Sequence, residues 1–387
     1  MADSHRIALL APDAPTFGHS ARGPGAFVFR MALSLLAIGH RPEVFIPSKR
    51  AVVVTEQGVP VHHVRPRSTL GTKWIQLTHP KTGARSLEQT VLALRHATGI
   101  SAAVKGAGNF RFIHAPEWGM LARFLPPTPA CPLVIRCSHD RELWRTQEER
   151  EFSADLRRLH QLELEVIRGA TKAYAPSRML AEHYRHRHGI ALGVVRPAFV
   201  MDCEPSPTPT AGLPARYLLH YGSLGTRKGT DRVIEAARIA RQSEPALTVL
   251  LAGHEKPQGF LAARGAPDDG IRWLGELSRA DLYAVLQRAI ATVLPSRADN
   301  LPNSAIESLH FGVGVIAMRE ASLDELVEPG QSGELLAPDD IAGLAAAMLQ
   351  AWRGNASWLG TGFRKPAILA ELEPATAAHN LLRFVLG

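Results

Sequence analysis

Short apolar runs alternate along the chain with longer segments in which apolar residues recur at helical spacing. Residues 6–11 predict a buried strand, residues 26–38 a helix and residues 42–47 a second strand. Further strands are predicted at residues 110–114, 133–137, 172–175 and 192–195. Residues 140–169 are charged at helical spacing, and we interpret them as a solvated helix pair without a chemical role. Such alternation is typical of an α/β domain built on a parallel sheet.

The same alternation begins again after a proline-rich stretch. Residues 202–214 contain many prolines and few apolar side chains, which indicates a linker between domains. Beyond it, strands are predicted at 217–221, 247–252, 271–274, 290–294 and 313–318, and helices at 230–241, 279–287, 340–352 and 376–385. The sequence therefore predicts two doubly wound, Rossmann-like α/β domains, over residues 1–200 and 201–371.

Two carboxylates flank a predicted helix start in the second domain. Asp299 lies in the polar loop after a predicted strand, and Glu307 lies about one turn inside the helix that follows. Asn303 or Ser304 is predicted to cap this helix, and Gly312 to end it in a left-handed conformation. Backbone amides and the helix dipole favour an anion between the carboxylates, which themselves suit hydroxyl groups. A nucleotide sugar has this combination of groups.

A glycine-rich loop precedes the first helix of the second domain. Residues 222–229 have the sequence Gly-Ser-Leu-Gly-Thr-Arg-Lys-Gly, so Arg227 and Lys228 stand next to the helix start, where amides and cations form a phosphate site. In the first domain, Gly25 opens the predicted helix and lets backbone amides approach a phosphate closely. A dinucleotide fingerprint is not predicted, because a long loop separates the strand from these glycines and Val28 replaces the third glycine.

These motifs resemble a known family. Asp299, seven residues and Glu307, after Pro-Ser and before a small-residue helix and a strand, resemble the signature of the retaining family 4 (group 1) glycosyltransferases. Lys228 matches the lysine of that family's phosphate loop, whereas Ser223 stands where the family has arginine and Asp299 where it usually has glutamate. The resemblance covers nearly the whole second half and, more weakly, the first. It implies the GT-B fold, in which two Rossmann-like domains face a cleft and a C-terminal helix, here about residues 372–387, crosses back onto the first domain.

The resemblance also implies roles for individual residues. Lys228, with Arg227 beside it, would hold the donor diphosphate, and Glu307 would accept hydrogen bonds from ribose hydroxyls. Asp299 would hold a hydroxyl of the donor sugar, and His139 resembles the family histidine at that sugar, so both are predicted catalytic positions. Further predicted donor contacts are Gly25, the amides of Asn300 and Leu301, and Ser304. Residues predicted on the acceptor side, near the ends of two strands, are His114, Glu117 and Arg136.

The predicted reaction moves a hexose from a nucleoside-diphosphate sugar to a polysaccharide, glycolipid or small-molecule acceptor. The sequence has no Asp-x-Asp motif and no His/Cys cluster at ligand spacing, so we expect no metal and no cofactor, with cations neutralising the leaving diphosphate. In the family, retention is commonly explained by same-face attack, with the leaving phosphate accepting the acceptor's proton. Two alternatives stay open: a nucleotide-sugar epimerase of the same fold, and a catalytically inactive protein that binds sugar nucleotides or polyanions.

The composition predicts the cellular compartment of the protein and the charge of its partners. Of the 387 residues, 45% are hydrophobic and 21% charged, as in globular proteins, and no apolar run approaches the roughly 20 residues of a membrane span. Three cysteines, and an N-terminus without a signal-peptide pattern, predict a reduced, cytoplasmic setting. The net charge of +8 predicts anionic partners.

The basic excess is concentrated at residues 62–105. Glu88 is the only acidic residue there, and Trp74 and Ile75 interleave with the basic side chains. The basic residues of this stretch are Arg65, Arg67, Lys73, Lys81, Arg85, Arg95 and Lys105. Two interpretations stay open: a solvated basic face, or a contact surface for an anionic acceptor or for lipid at the inner membrane face. We expect no nucleic-acid partner.

Overall fold

The computed structural model describes residues 4–13, 24–78, 86–143, 152–201, 203–207, 212–268 and 270–387. These residues form two compact units, each with its own sheet and apolar core. The first unit holds the described residues up to 200 together with 371–387, and the second holds those of 201–370. The chain therefore leaves the first unit at the start of the proline-rich stretch and returns to it near its C-terminal end.

The first unit is built on an eight-stranded sheet. Its strands are β1 (Arg6–Leu10), β2 (Arg41–Pro47), β3 (Val52–Glu56), β4 (Val59–Val64), β5 (Phe112–Pro116), β6 (Leu133–Arg136), β7 (Lys172–Ala175) and β8 (Gly193–Val194). They lie in the order β3-β4-β2-β1-β5-β6-β7-β8, and all neighbours are parallel except the hairpin of β3 and β4. The helices are α1 (Pro24–Ala37), α2 (Leu70–Thr78), α3 (Glu88–Ala107), α4 (Ala154–Arg168) and α5 (Arg178–His188). Helices cover the parallel strands, which explains their continuous apolar sequences.

The second unit is built on a six-stranded, wholly parallel sheet. Its strands are β9 (Leu218–Tyr221), β10 (Val249–Ala252), β11 (Ile271–Trp273), β12 (Thr292–Val293), β13 (Val315–Met318) and β14 (Gly333–Leu336). The helices are α6 (Thr230–Ser243), α7 (Arg279–Gln287), α8 (Asn303–His310), α9 (Ile341–Trp352) and, at the return to the first unit, α10 (Ile368–Glu371). The strand order β11-β10-β9-β12-β13-β14 is that of a doubly wound sheet, with its topological switch point between β9 and β12.

The last helix, α11 (Pro374–Leu386), completes the core of the first unit. It buries Ala377, Ala378, Leu381 and Val385 in the core that also contains the buried face of α1. Just before it, the amide of Phe199 donates to the carbonyl oxygen of Leu372 at 2.8 Å. The C-terminal residues are therefore a structural part of the first unit.

Helix α8 begins differently from the prediction. Pro302 is its N-cap, and neither Asn303 nor Ser304 caps it, because the chain enters the helix from the extended backbone of the proline, with φ −61° and ψ 126°. Gly312 has φ +75°, which confirms the predicted left-handed helix end. The strand before α8 is limited to Thr292–Val293.

The charged segment 140–169 is not a purely solvated helix pair. Glu163 of α4 is 2% exposed and accepts hydrogen bonds from Arg141 at 2.6 and 2.8 Å. The prediction was wrong here, because a charge that has a well-placed partner can be buried. Residues 144–151 of this segment lie outside the described residues. Among the helices that the structure describes, none has the length and apolar character needed to cross a membrane.

We expect Leu381→Ala to lower the free energy of unfolding of the first unit by about 2–5 kcal/mol, because Leu381 is fully buried in its core. Urea denaturation followed by circular dichroism measures this change. Arg383→Ala, on the exposed side of the same helix, is the matched control and should change the free energy of unfolding by less than about 0.5 kcal/mol. Equal effects of the two substitutions would contradict the packing of α11.

Candidate functional site

A tight glycine loop connects β9 to α6 at the switch point. Gly229 has φ +71°, and a Cβ atom there would lie 2.0 Å from the carbonyl oxygen of Pro295. A Cβ atom on Gly225 would lie 2.1 Å from the carbonyl oxygen of Lys256. The backbone of this loop therefore packs directly against the loops that follow β12 and β10, and only glycine fits both positions.

Lys228 and Asp299 form an ion pair between the glycine loop and the loop after β12. Each side chain is only 15% exposed. The other carboxylate oxygen of Asp299 accepts from the amide of Asn300 at 3.1 Å. Arg227 donates to the carbonyl oxygen of Ala298 at 3.0 Å. The structure thus brings three predicted site residues, two cations and a carboxylate, to one place.

A second ion pair holds the same two segments together. Arg297 donates both of its terminal nitrogens to the carboxylate of Asp231 on α6, each at 2.8 Å. It also donates to the carbonyl oxygen of Thr226 at 2.7 Å. The loop that carries the Asp299 carboxylate is therefore held in register with the glycine loop.

His220 is a buried, neutral side chain at the end of β9. Its Nδ1–H donates to the carbonyl oxygen of Val293 at 2.7 Å, since a carbonyl only accepts, and its Nε2 accepts from the hydroxyl of Thr230 at 2.9 Å. The same hydroxyl accepts from the amide of Gly225 at 2.9 Å. Burial lowers the pKa of His220 to about 4. The neutral ring thereby joins β9, β12 and the glycine loop.

Glu307 lies in α8 and is 1% exposed. Its carboxylate is paired with Arg279 of α7, which also donates to the hydroxyl of Tyr283 at 2.7 Å. Tyr221, the last residue of β9, donates to the carbonyl oxygen of Ser304, in the first turn of α8, at 2.6 Å. Burial and the nearby charge of Glu307 raise the pKa of Tyr221 well above its ordinary value. Glu307 therefore lies close to the end of β9.

Lys228 and Glu307 thus share one strand end. Tyr221 contacts the helix that carries Glu307, and a Cβ atom on Gly222, the next residue, would lie 4.0 Å from Cε of Lys228. Both residues stand at the carboxyl edge of the sheet beside the switch point. Open α/β sheets bind their ligands at this edge.

The amides of Asn300 and Leu301 already have acceptors within the protein. The amide of Asn300 donates to Asp299, and that of Leu301 donates to the hydroxyl of Ser322 at 2.7 Å. Leu301 is 3% exposed. The donor contact predicted for these two amides therefore requires that their present hydrogen bonds be exchanged.

In the first unit, one carboxylate oxygen collects four hydrogen bonds. Oε1 of Glu117 accepts from the amides of Ser138 and His139 at 3.0 Å each, from the Ser138 hydroxyl at 2.9 Å and from Nδ1 of His139 at 2.6 Å. Burial alone would raise the pKa of Glu117, but the hydrogen bonds from His139 and Ser138 and the charge of Arg136 lower it overall. The His139 ring also packs on Trp118, with 4.5 Å between the ring centroids. These contacts hold the His139 ring in one orientation.

His114 and Arg136, predicted on the acceptor side, are both buried. His114 lies inside β5 and not at its end, because the strand begins and ends two residues later than predicted. It has no exposed surface, and its Nε2 lies 2.8 Å from the hydroxyl of Tyr174. Burial, followed by the charge of Arg136, lowers the pKa of His114 to about 3. Arg136 is 8% exposed, with its guanidinium 3.5 Å from the ring centroid of Phe27.

Gly25 opens α1 beside a carboxylate. A Cβ atom on Gly25 would lie 2.5 Å from Oδ1 of Asp13. Burial raises the pKa of Asp13, and a hydrogen bond from the Gly25 amide opposes that rise. In this structure the Gly25 amide, which was predicted to contact a phosphate, donates to the carboxylate of Asp13. Residues 14–23, between the two, lie outside the described residues.

Sequence reasoning missed Arg279 and Trp118. Each meets its partner only through the tertiary structure, Arg279 at Glu307 and Trp118 at His139. Arg279 did carry a weak signal, because it is a cation at the first position of a helix, where the helix dipole disfavours positive charge. We find no comparable signal for Trp118.

Part of the chain matches a known family. Residues 211–357 match the family model described as Glycosyl transferases group 1. The glycogen synthase of Mycobacterium tuberculosis is 35% identical over 134 residues, which are 34% of this chain and 32% of that protein. The D-inositol 3-phosphate glycosyltransferase of Nocardiopsis dassonvillei is 30% identical over 231 residues, 54% of either chain. The chain thus spans about a third to a half of the length of these curated relatives. The residues that match the family model lie within the second unit.

Solved structures share the whole fold. Sucrose-phosphate synthase from Thermosynechococcus elongatus matches with a TM-score of 0.72 at 18% identity, over 99% of this chain and 98% of that chain. Anabaena HepE, solved in complex with UDP and glucose, matches with a TM-score of 0.65 at 15% identity, over 99% of both chains. These likenesses confirm the predicted α/β class and the GT-B fold with two Rossmann-like units.

We expect the second unit to lose stability as the pH falls from about 6.5 to about 4, because unfolded His220 takes up a proton in this range and the folded, buried ring does not. The free energy of unfolding should fall by about 3 kcal/mol in total by pH 4, and this decline should be absent well above pH 6.5. The free energy of unfolding, measured at several pH values, should lack this decline in His220→Gln. His186→Gln, at an exposed position, is the control and should keep the decline. An identical pH dependence in the two variants would contradict the expectation.

Proposed function

We propose that the protein is a retaining glycosyltransferase of family 4 that moves a hexose from a nucleoside-diphosphate sugar to a polysaccharide, glycolipid or small-molecule acceptor. The observation that carries this proposal is the convergence of Lys228 and Glu307 at the carboxyl end of β9, inside the region that matches the group 1 family model. Relatives named as a glycogen synthase, an inositol phosphate glycosyltransferase and mannosyltransferases support sugar transfer. The UDP and glucose of HepE support a nucleotide-sugar donor.

In this proposal the donor diphosphate binds at the glycine loop, residues 222–229. Lys228 exchanges Asp299 for a phosphate oxygen, because a diphosphate carries more negative charge than a single carboxylate. Arg227 and the start of α6 add positive potential at the same place. These groups neutralise the charge that develops on the leaving diphosphate, so the proposed transfer does not depend on a divalent ion at the phosphates.

Asp299 and Glu307 hold the two ends of the donor. Once Lys228 has turned to the phosphate, the Asp299 carboxylate accepts from a hydroxyl of the donor sugar, and Glu307, held by Arg279, accepts from the ribose hydroxyls. His139 contacts the donor sugar, with its ring oriented by Glu117. The leaving phosphate accepts the proton of the attacking hydroxyl on the same face of the sugar, which retains the configuration.

We expect Lys228→Ala and Glu307→Gln each to lower turnover by about 100-fold or more, because each removes a charged partner of the donor. Product formation is measured with a panel of nucleotide sugars and acceptors, and circular dichroism checks folding. Lys365→Ala and Glu235→Gln are matched controls at exposed positions of the same unit, and both should keep wild-type turnover.

The same measurements separate the alternatives. Conversion of the donor into an epimeric nucleotide sugar without any acceptor would identify an epimerase. A melting temperature raised by a nucleoside diphosphate, without turnover of any donor and acceptor pair, would identify a binding protein. Wild-type turnover in both Lys228→Ala and Glu307→Gln would overturn the proposed donor site.

We further propose that α2 contacts an anionic lipid surface at the inner membrane face, where the protein acts from the cytoplasm. Leu70, Trp74 and Leu77 are 88%, 63% and 85% exposed. Their spacing places them on one face of the helix, so that face presents large apolar side chains to solvent. A helix with an apolar face and basic flanks is suited to the boundary between lipid headgroups and acyl chains.

Basic side chains lie just before α2 in the chain. A groove of about 720 Å³ is lined in part by His62, His63, Arg65 and Arg67. This groove offers the positive charge that an anionic headgroup requires. Two more predicted basic residues of the stretch, Lys81 and Arg85, lie outside the described residues.

The double substitution Trp74→Glu with Leu77→Glu should weaken binding to vesicles of phosphatidylglycerol and phosphatidylcholine by about tenfold or more, because it replaces the apolar face by negative charge. Cosedimentation measures this binding, and phosphatidylcholine vesicles alone report the contribution of the anionic lipid. Leu92→Glu is the control, since Leu92 is a 46% exposed leucine on α3. Undiminished binding in the double variant would rule out α2 as the contact.

A further inference from the structure

Asp140, the residue after His139, is surrounded by three histidines. The aspartate has no exposed surface. His160 comes from α4, and His183 and His188 come from α5, so the cluster joins two helices to the segment that follows β6. Sequence spacing did not reveal this cluster, because Asp140 and His160 lie far along the chain from His183 and His188.

The ligand atoms of the cluster are separated by distances close to those between two ligands of one metal ion. Nε2 of His188 lies 2.7 Å from Oδ2 of Asp140, and Nε2 of His160 lies 3.6 Å from the same oxygen. Nε2 of His183 lies 3.6 Å from Oδ1 of Asp140. One ligand atom from each of Asp140, His183 and His188 lies within 4.8 Å of the other two. Two ligands of a tetrahedral zinc ion, each about 2.0–2.1 Å from it, are roughly 3.4 Å apart, so small side-chain movements complete the group.

Two of the imidazole nitrogens that face the carboxylate lack hydrogen bonds. Within the described part of the chain, the Nε2 atoms of His160 and His183 are buried without a hydrogen-bond partner. Their separation of 3.6 Å from the Asp140 oxygens is longer than a hydrogen bond. The His160 side chain is only 8% exposed, so water has little access to it. A buried polar atom of this kind calls for a partner, and a cation held by Asp140, His183 and His188 supplies one for Nε2 of His183.

We propose that Asp140, His183 and His188, with His160 beside them, bind one divalent transition-metal ion, for which Zn²⁺ is the probe. Imidazole nitrogens and a carboxylate are ligands that zinc takes in proteins. On binding, the ion replaces the hydrogen bond between His188 and Asp140. Because Asp140 has no exposed surface, the role of the proposed ion is structural. This inference does not rest on the proposed sugar transfer.

The ion acts on the His139 segment through direct connections. Asp140 follows His139 in the chain, and the hydroxyl of Tyr184, next to His183 on α5, donates to the carbonyl oxygen of His139 at 2.9 Å. An ion that fixes Asp140 against α4 and α5 therefore also fixes the turn that presents the His139 ring to Glu117.

Calorimetric titration of the full-length, tag-free, EDTA-treated protein with ZnCl₂ tests the proposal, with elemental analysis for stoichiometry. We expect one ion per chain and a melting temperature that rises with added Zn²⁺. His183→Ala and His188→Ala should each weaken binding by more than about tenfold. No donor or acceptor is present, so failure of this test is separate from failure of the proposed transfer.

His186→Ala is the matched control, because His186 is exposed on the same helix, and this variant should bind Zn²⁺ as the wild type does. Absence of stoichiometric binding by the wild type would overturn the proposal. Unchanged binding in His183→Ala and His188→Ala would also overturn it and would indicate an adventitious ion only. Circular dichroism checks folding, and if His188→Ala does not fold, His183→Ala decides, since the His183 side chain is 22% exposed.

Discussion

The ion pair between Lys228 and Asp299 joins the two loops that leave the second sheet at its switch point. The two residues are 71 positions apart in the chain, and they meet because β9 and β12 are neighbours in the sheet. The close approach of the Gly229 backbone to Pro295 lets the loops touch, which leaves the pair only 15% exposed. A cation and a carboxylate held in this way neutralise each other.

The end of β9 has two kinds of polar contact, a neutral hydrogen-bond network and a set of ion pairs. His220, buried and neutral, joins β9, β12 and the glycine loop through hydrogen bonds to Val293 and Thr230. These hydrogen bonds are buried and hold the backbone in place. The ion pairs of Lys228 and Glu307 lie on this frame, and each is formed by groups whose charges can also serve a bound anion or hydroxyl.

The first unit gathers its polar groups in the same part of its sheet. Both faces of a parallel sheet are covered, so polar side chains concentrate at the carboxyl ends of the strands. After β5 and β6, Glu117 holds His139, and the next residue, Asp140, is enclosed by histidines of α4 and α5. Three consecutive residues thus belong to two neighbouring polar clusters: Ser138 and His139 contact Glu117, and Asp140 contacts the histidines. Whatever fixes the second cluster also limits the movement of the first.

The sequence by itself determined the α/β class, the approximate limits of most strands and helices, the loop positions of Lys228 and Asp299, and the helical position of Glu307. These features are local: a strand covered on both faces must be apolar, and a glycine loop before a helix exposes amides whatever packs around it. The hairpin of β3 and β4 was not predicted, although β3 begins with three valines. Only the structure shows that β3 is a largely exposed strand at the edge of the sheet.

Only the tertiary structure decided which groups meet. Arg279 finds Glu307, Trp118 finds His139 and three histidines find Asp140 because separate helices pack on particular strand ends. In the structure β5 begins and ends two residues later than predicted, which places His114 in the core. Contacts of this kind depend on the arrangement of whole elements, and the pattern of residues within any one element does not contain it.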